Sequence, residues 1–432
     1  MKPNILAQIE SKYQHAGIAG TVQAGTNFIL RYPQERVISM IYDYILNIQT
    51  REDILKKSEY FLYSEPEICR IKPPVSYSPI PDEINHVIGV HEFEQPFISF
   101  LEGAVINKEN GITLSSESEI ILESVQARRP KLENHFLNNP NHLYKIIKKQ
   151  KGFSVEPSRV VGTSTSMITA PFQGNNGGYA DWIRKFLPRL QAIEEYASKT
   201  DRSPKIILNP DPPEYQLDSL RTMGYGSDQL IFWNPDEDLH VENLVTPMMN
   251  TSELICPYFY HRFERETNRY YNSISPKSIK WLRAQAKKRI SKQECNITLS
   301  DKVLISRRDV NEKRGRQIEN YKEVKNRLET NGFDSYELRS LSFADQVMLF
   351  SNADQIVGVH GAGLSNLAFA SNCCVVEIFG SFIRPTFFMM SEKLDLNYGM
   401  IITEEVSTQP DPFTSISVDP DDILQLITDL RG

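Results

Sequence analysis

The sequence predicts an α/β protein whose C-terminal half is a Rossmann-like sheet. Three observations carry this. Short apolar runs, Val303-Leu304-Ile305, Ile356-Val357-Gly358-Val359 and Val375-Val376-Glu377-Ile378, alternate with stretches of helical period, the pattern of a parallel sheet with crossover helices. The middle run passes directly into glycines, Gly361 and Gly363, and then into a new apolar period, as a strand-turn-helix unit does. The chain has 432 residues, enough for roughly two to three domains at about 150 residues each.

The elements follow in chain order. Residues 1 to about 85 read as mainly helical, with Val37, Met40, Ile41, Tyr44 and Ile45 at helical spacing. Pro73-Pro74, Pro79 and Pro81 mark a linker or an extended crossing segment over Lys72 to Asp82. From about 86 the pattern becomes that of a small β unit. Phe97 to Leu101, Gly103 to Ile106 and Ile120 to Leu122 are its strands, and Asn110-Gly111 is a hairpin turn. A first α/β lobe follows. In it Ile183, Phe186, Leu187 and Leu190 share a helical face, Ile206 to Leu208 and Leu230 to Trp233 are strands, and Leu217 to Met223 is a helix stopped by Gly224.

In the second lobe Ile318, Tyr321, Val324 and Leu328 mark a helix ended by Asn331-Gly332. Tyr336 to Leu338 reads as a short strand. Ser342 and Asp345 cap a helix carrying Phe343, Val347 and Phe350. Asp419-Pro420 opens the last helix, with proline at its first position.

Composition bounds the function. The formal net charge is -7 and 40% of residues are hydrophobic, which argues against a protein built around the nucleic-acid backbone. No run of about 20 apolar residues occurs, and Met1 to Gln14 lacks the apolar core of a signal peptide. Five scattered cysteines without ligand spacing fit a reducing, cytoplasmic compartment.

Two features carry chemistry. The turn His360-Gly361-Ala362-Gly363-Leu364 presents glycines for close ligand approach and a helix start whose free N–H groups suit phosphate. Any tight strand-to-helix turn also uses glycines, and His360 alone reads equally well as a structural histidine. Ser306-Arg307-Arg308 ends a strand, where an open α/β sheet has its ligand crevice. Lys313, Arg314 and Arg316 follow. Guanidinium groups there can clamp a diphosphate; the plain alternative is a solvated basic loop, preferred for Arg308, Lys313 and Arg316 but not for Arg307.

These motifs resemble glycosyltransferase family 61. Leu304-Ile305-Ser306-Arg307, the basic cluster, Leu341 to Gln346, His360 to Asn366 and Val375 to Ile378 stand in the family's order and spacing. The likeness is strong from about 303 to 379. It is weaker through Asn175 to Leu190, Leu220 to Gly224 and Val241 to Pro247, and absent from the first 85 residues. The resemblance implies a GT-B-like fold, two Rossmann-like lobes facing a cleft. The division is then a helical N-terminal region at 1–85, an acceptor-side α/β lobe including the small β unit at 86–272, a Rossmann-like nucleotide-sugar lobe at 273–408, and a tail and helix at 409–432.

The resemblance further implies an inverting, metal-independent transfer from a nucleoside-diphosphate sugar, usually uridine-based, to a glycan or polysaccharide, with no separate cofactor. Ser306, Arg307, Arg314, His360, Gly361, Ala362, Gly363, Leu364 and Glu377 would bind the donor. Prokaryotic members carry a His-Trp pair before a Leu-Pro-Arg-Leu helix end; here Asp181 precedes Trp182, and Leu187-Pro188-Arg189-Leu190 follows. Asp181 is the candidate base, with helix N-capping as the alternative reading. A rival reading places a metal at Asp236-Glu237-Asp238. Another makes the chain a non-catalytic nucleotide-binding or assembly protein of a membrane-associated polysaccharide-synthesis complex. The 361–365 segment lacks the spacing of a serine-hydrolase elbow.

Overall fold

A computed structural model describes residues 46–108, 110–121, 140–150, 159–169, 178–249, 251–260, 265–308, 316–403 and 415–432. The fold is mixed α/β with two large sheets. The C-terminal sheet has six strands, all parallel to their neighbours, in the order Asp334–Glu337, Lys302–Ser306, Gln355–Val359, Cys374–Phe379, Asn397–Ile402, Val75–Ser76. Its central strands are buried along their length, which is why they read as unbroken apolar runs.

After the early edge strand Val75–Ser76, the chain returns to this sheet at Lys302–Ser306, adds Asp334–Glu337 on one side, then crosses back to add Gln355–Val359 on the other. The strand order therefore reverses between Lys302–Ser306 and Gln355–Val359. At such a switch point the loops leaving the strand ends diverge and open a crevice. The loops in question are those that begin at Arg307 and His360.

The other sheet is mixed. It runs Ile48–Gln49, Ile120–Ile121, Thr113–Leu114, Phe97–Ile106, Leu239–Met248, Arg159–Ser166, Lys205–Leu208, Leu230–Phe232, with Glu59–Leu62 paired to Phe97–Ile106. The apolar runs read as a small β unit are one strand, Phe97–Ile106, with its neighbours, continuous with the α/β sheet. Gly111 at φ +66° makes the expected turn between Phe97–Ile106 and Thr113–Leu114.

The helical reading of the first 85 residues is corrected over the part described. There the chain is mostly extended, in Ile48–Gln49, Glu59–Leu62, Glu67–Ile71 and Val75–Ser76, with two short helices, Arg51–Lys57, boxed by Thr50 and Asp53, and Asp82–Asn85. The apolar residues Val37 to Ile45 lie outside the described residues. The proline-rich stretch is an extended crossing: Val75–Ser76 pairs with Asn397–Ile402, and the Tyr77 hydroxyl donates to Asp429 at 2.5 Å.

The helix beginning at Tyr179 does not end at Leu-Pro-Arg-Leu. An α turn, Tyr179–Asp181, widens into a π turn, Trp182–Phe186, tightens to a 3₁₀ turn, Leu187–Arg189, and continues as α-helix through Leu190–Thr200. Pro188 supplies no N–H to an interior turn, which accounts for the change of pitch there. Trp182 is buried, and its indole donates to Ser219 at 2.8 Å.

One continuous core joins the two sheets. It runs from Ile206 and Leu208 through Trp182, Phe186, Leu187, Leu282 and Phe350 to Val303 and Ile356. Helices Pro276–Ile290 and Phe343–Asn352 fill the middle layer, and Asp218 accepts from the Phe343 backbone N–H at 2.6 Å across it. Elements absent from the sequence reading include Pro140–Gln150, Arg159–Ser166, Leu239–Met248, Pro276–Ile290, Thr386–Lys393, Asn397–Ile402 and the hairpin of Thr251–Tyr260 with Arg265–Ile274.

Lys393 is an exception inside this core. It is 4% exposed, with its ammonium 5.0 Å from the centre of the Phe93 ring. Burial holds its pKa down to about 7, against 10.5 ordinarily. Between those values the unfolded chain binds a proton that the folded chain does not, so stability from this group rises with pH across pH 7 to 10.5. Lys393→Met is expected to melt higher than the parent at pH 6, by roughly 5 °C, with the gap narrowing toward pH 10. Calorimetric melts at both pH values check this; a gap that does not change with pH contradicts it.

Candidate functional site

The site draws on three adjacent strands, two of them near their C-terminal ends and the third near its start. Gln355–Val359 delivers His360, Cys374–Phe379 carries Glu377, and Asn397–Ile402 carries Tyr398. His360 Nδ1 lies 2.5 Å from Glu377 Oε1, and the Tyr398 hydroxyl donates to Glu377 Oε2 at 2.6 Å. Glu377 is 0% exposed and His360 5%. Phe379 stacks on the imidazole at 5.1 Å, with Phe387 at 5.3 Å. Glu377 is thus no solvated acid at a crevice rim. It is the buried partner that fixes the orientation of His360.

Burial sets the charge state of this pair. It pushes the Glu377 carboxyl up to about 8, opposed by the Tyr398 hydrogen bond and by Arg316. It also holds His360 well below its ordinary range, reinforced by Arg316, Arg384, Arg307 and Arg184. Both groups are neutral near pH 7, the carboxyl donating to Nδ1.

Cations ring the histidine. Arg316 donates through Nη1 to the His360 carbonyl at 2.8 Å. The guanidinium groups of Arg316 and Arg384 each lie 4.6 Å from the Phe382 ring centre, within cation–π range. Arg307 leaves its strand and reaches over the turn. A Cβ on Gly361 would lie 1.5 Å from Arg307 Nη1. Gly361 itself is extended, at φ 176°, so the glycine provides space for a guanidinium and not a special backbone angle. Gly363 likewise makes room, its missing Cβ standing 2.9 Å from Leu338.

After the glycines the chain forms a 3₁₀ helix, Ala362–Phe369, rather than an α-helix. Ala362 is exposed and Gly363 partly so, and both contribute backbone N–H groups at the helix start. Leu364 is fully buried in the core and offers no surface. Ser306 is also buried, its hydroxyl accepting from the Arg308 N–H at 3.3 Å. Arg314 and Lys313 lie outside the described residues.

Beside Arg307, at the switch point, is a cavity of about 540 Å³. Ile305, Arg307, Val359, Asn320, Tyr321 and Glu323 are among the residues that line it. Arg308 lies 5.7 Å from the Tyr321 ring centre.

The turn Tyr179–Asp181 packs against Ala362–Phe369. Asp181 is not an N-cap: Gly178 holds that position, and Asp181 already has helical backbone angles. The Asp181 carboxylate pairs with Arg184 at 3.0 Å and Lys185 at 2.9 Å and is 46% exposed. Asp236-Glu237-Asp238 is not arranged as a metal site. Asp238 is buried against Lys149 at 2.6 Å and accepts from the Lys108 N–H. Among the described residues no group of three or more His, Cys, Asp or Glu could hold a metal ion, and no helix is long and apolar enough to cross a membrane.

Sequence reading missed Arg384, Phe382, Tyr398 and Tyr179. Arg384, Phe382 and Tyr398 sit in no motif and Tyr179 lies only in the weaker stretch Asn175 to Leu190; each reaches the site through the fold.

Comparison with known proteins follows the same outline. Residues 179–376 match the family model described as Glycosyltransferase 61, the family the motifs resemble, and the match supports a glycosyltransferase. No curated protein matches the chain. Among solved structures, the dodecameric iron-containing heptosyltransferase TibC, solved with ADP-D-β-D-heptose, is similar at a TM-score of 0.28 and 12% identity. That likeness covers 63% of this chain and 77% of the other, and is too slight to carry an argument.

A neutral buried carboxyl is replaceable by an amide. Glu377→Gln is expected to fold with a melting temperature within a few degrees of the parent at pH 6. Glu377→Ala removes partners from His360 and Tyr398 and should cost about 2–4 kcal/mol. Denaturant unfolding of both variants decides it; equal destabilisation by Gln and Ala would mean that Glu377 is ionised in the folded state.

Proposed function

We propose that this chain is an inverting glycosyltransferase that transfers a sugar from a nucleoside-diphosphate donor, a UDP-sugar by family resemblance, to a glycan or polysaccharide. The observation that carries the reading is the convergence of Arg307, Arg316 and Arg384 on His360 at the switch point of a parallel sheet. A diphosphate leaving group needs positive charge and preorganised donors where its own charge develops. Arginines meet phosphate through paired N–H groups. The Ala362 and Gly363 N–H groups add to them, and the His360 Nε2–H does so when Nδ1 accepts from Glu377. The adjoining cavity has room for the nucleoside.

Cationic side chains then do the work a divalent ion does elsewhere, so the transfer proceeds without metal. A GT-B-like arrangement, with the donor in the C-terminal lobe and the acceptor on the 86–272 side, fits this placement. Asp181 is the proposed acceptor base, because its turn packs directly on the donor turn. Free Cys69, Cys295, Cys373 and Cys374 support a cytoplasmic setting, where an acceptor could be supplied by a membrane-associated polysaccharide or capsule assembly.

One observation favours a second reading. Two cations within 3.0 Å of Asp181 weaken a carboxylate as a base, as in a chain that binds nucleotide without catalysis. Asp181→Asn separates the two. As the base, it lowers turnover by roughly 10²–10⁴ with donor affinity retained; turnover equal to the parent removes Asp181 from the mechanism.

Calorimetric titration with UDP and other nucleoside diphosphates tests the donor site. Arg307→Ala or Arg384→Ala should each weaken binding by about 1.5–3 kcal/mol, with Arg307→Lys rescuing only in part. No heat with any nucleotide at millimolar concentration would sink the donor reading, and activity abolished by EDTA and restored by manganese would reverse its metal independence.

A further inference from the structure

The turn bearing Asp181 meets the donor turn through a buried polar network. The Tyr179 hydroxyl donates to Asn366 Oδ1 at 2.7 Å and lies 3.2 Å from Gln346 Oε1. Asn366 Nδ2 donates to Gln346 Oε1 at 2.8 Å and to the Gly363 carbonyl at 3.2 Å. Gln346 Nε2 donates in turn to the Leu341 carbonyl at 3.1 Å. Asn366 is 0% exposed and Gln346 7%. The Tyr179 ring packs edge-on to Tyr215 at 5.3 Å.

Such a network has few alternative arrangements. Each buried donor and acceptor must be satisfied, and displacing one strands the others. Tyr179 belongs to the acceptor side, whereas Asn366, Gly363 and Gln346 belong to the donor side. Immediately after Tyr179–Asp181 comes the π turn Trp182–Phe186, a form that is rare within helices and concentrated at functional sites. A π turn rotates the residues on either side of it relative to one another. Here it lies between the turn tied to Gly363 and the helix Leu190–Thr200 packed on the first sheet. Arg184, within this turn, contributes to the field at His360.

We infer that Tyr179 is a positioning residue: its hydroxyl, through Asn366 and Gln346, sets the register between the acceptor-side π turn and the donor turn 360–366. The catalytic consequence rests on the donor reading above, whereas the register itself does not. Removing the hydroxyl while keeping the ring lets the two turns move independently. Donor binding, made by arginines and backbone on one side alone, is retained, and transfer, which needs both sides aligned, is lost.

Tyr179→Phe is the test, read by hydrogen exchange at peptide resolution and by nucleotide titration. Without ligand, exchange is expected to quicken at least tenfold both at 179–186 and, across the network, at 363–366, with the melting temperature within a few degrees of the parent. UDP affinity should stay within about twofold, and UDP-sugar turnover should fall about tenfold or more through kcat rather than KM. Exchange quickened at 179–186 alone, or nowhere, overturns the register role. Parent-level turnover overturns its catalytic consequence. UDP that protects neither 360–369 nor any other segment of the parent defeats the donor reading and leaves the exchange criterion standing. Should Tyr179→Phe not fold, Gln346→Met removes the shared acceptor from the other side and must give the same pair of exchange changes.

Discussion

The site depends on one buried contact, the hydrogen bond between His360 Nδ1 and Glu377 Oε1. It links the ends of two adjacent parallel strands, and the Tyr398 hydroxyl extends it to a third. A glutamic acid with no exposure is tolerable only when neutral or well paired. Here burial keeps it neutral and gives its proton one destination. His360 is thereby held with its ring against Phe379 and its carbonyl toward Arg316. Burial, reinforced by the surrounding arginines, keeps the imidazole neutral as well, while Arg316 pulls the carboxyl the other way.

The glycines of the turn follow from this arrangement. A guanidinium crosses the backbone at Gly361, and a side chain there would have to displace it. Arg307 can then reach from its own strand across the switch point toward the next. This explains why the motif is His-Gly-Ala-Gly although the backbone at Gly361 is ordinary extended chain. The requirement is volume, set by a residue more than fifty positions earlier in the sequence.

The two sheets are not independent bodies joined by an open gap. A shared apolar layer runs between them, and polar ties cross it at Asp218 to Phe343 and at Tyr179 to Asn366. The helix that begins at Tyr179 is seated on the turn Ala362–Phe369, and its changes of pitch lie between that contact and the first sheet.

The sequence by itself determined the parallel C-terminal sheet, because strands buried on both faces must be continuous apolar runs and their turns need glycine. It also determined the Arg307 and His360 turns as neighbours, since alternating strands and helices put strand ends on one edge. It misread the early segment, where short strands such as Val75–Ser76 have no period of their own and exist only by pairing with distant ones. It left Asp181 open between a base and a cap, because a carboxylate before an apolar helix face looks the same in either role, and the ion pairs with Arg184 and Lys185 appear only in the fold. Tertiary structure alone decided that Glu377 is buried, that Arg384 and Phe382 complete the cationic ring, and that Tyr179 meets Asn366. Each of those facts is a contact between residues far apart in the chain, and hydrophobic period and turn chemistry report only on neighbours.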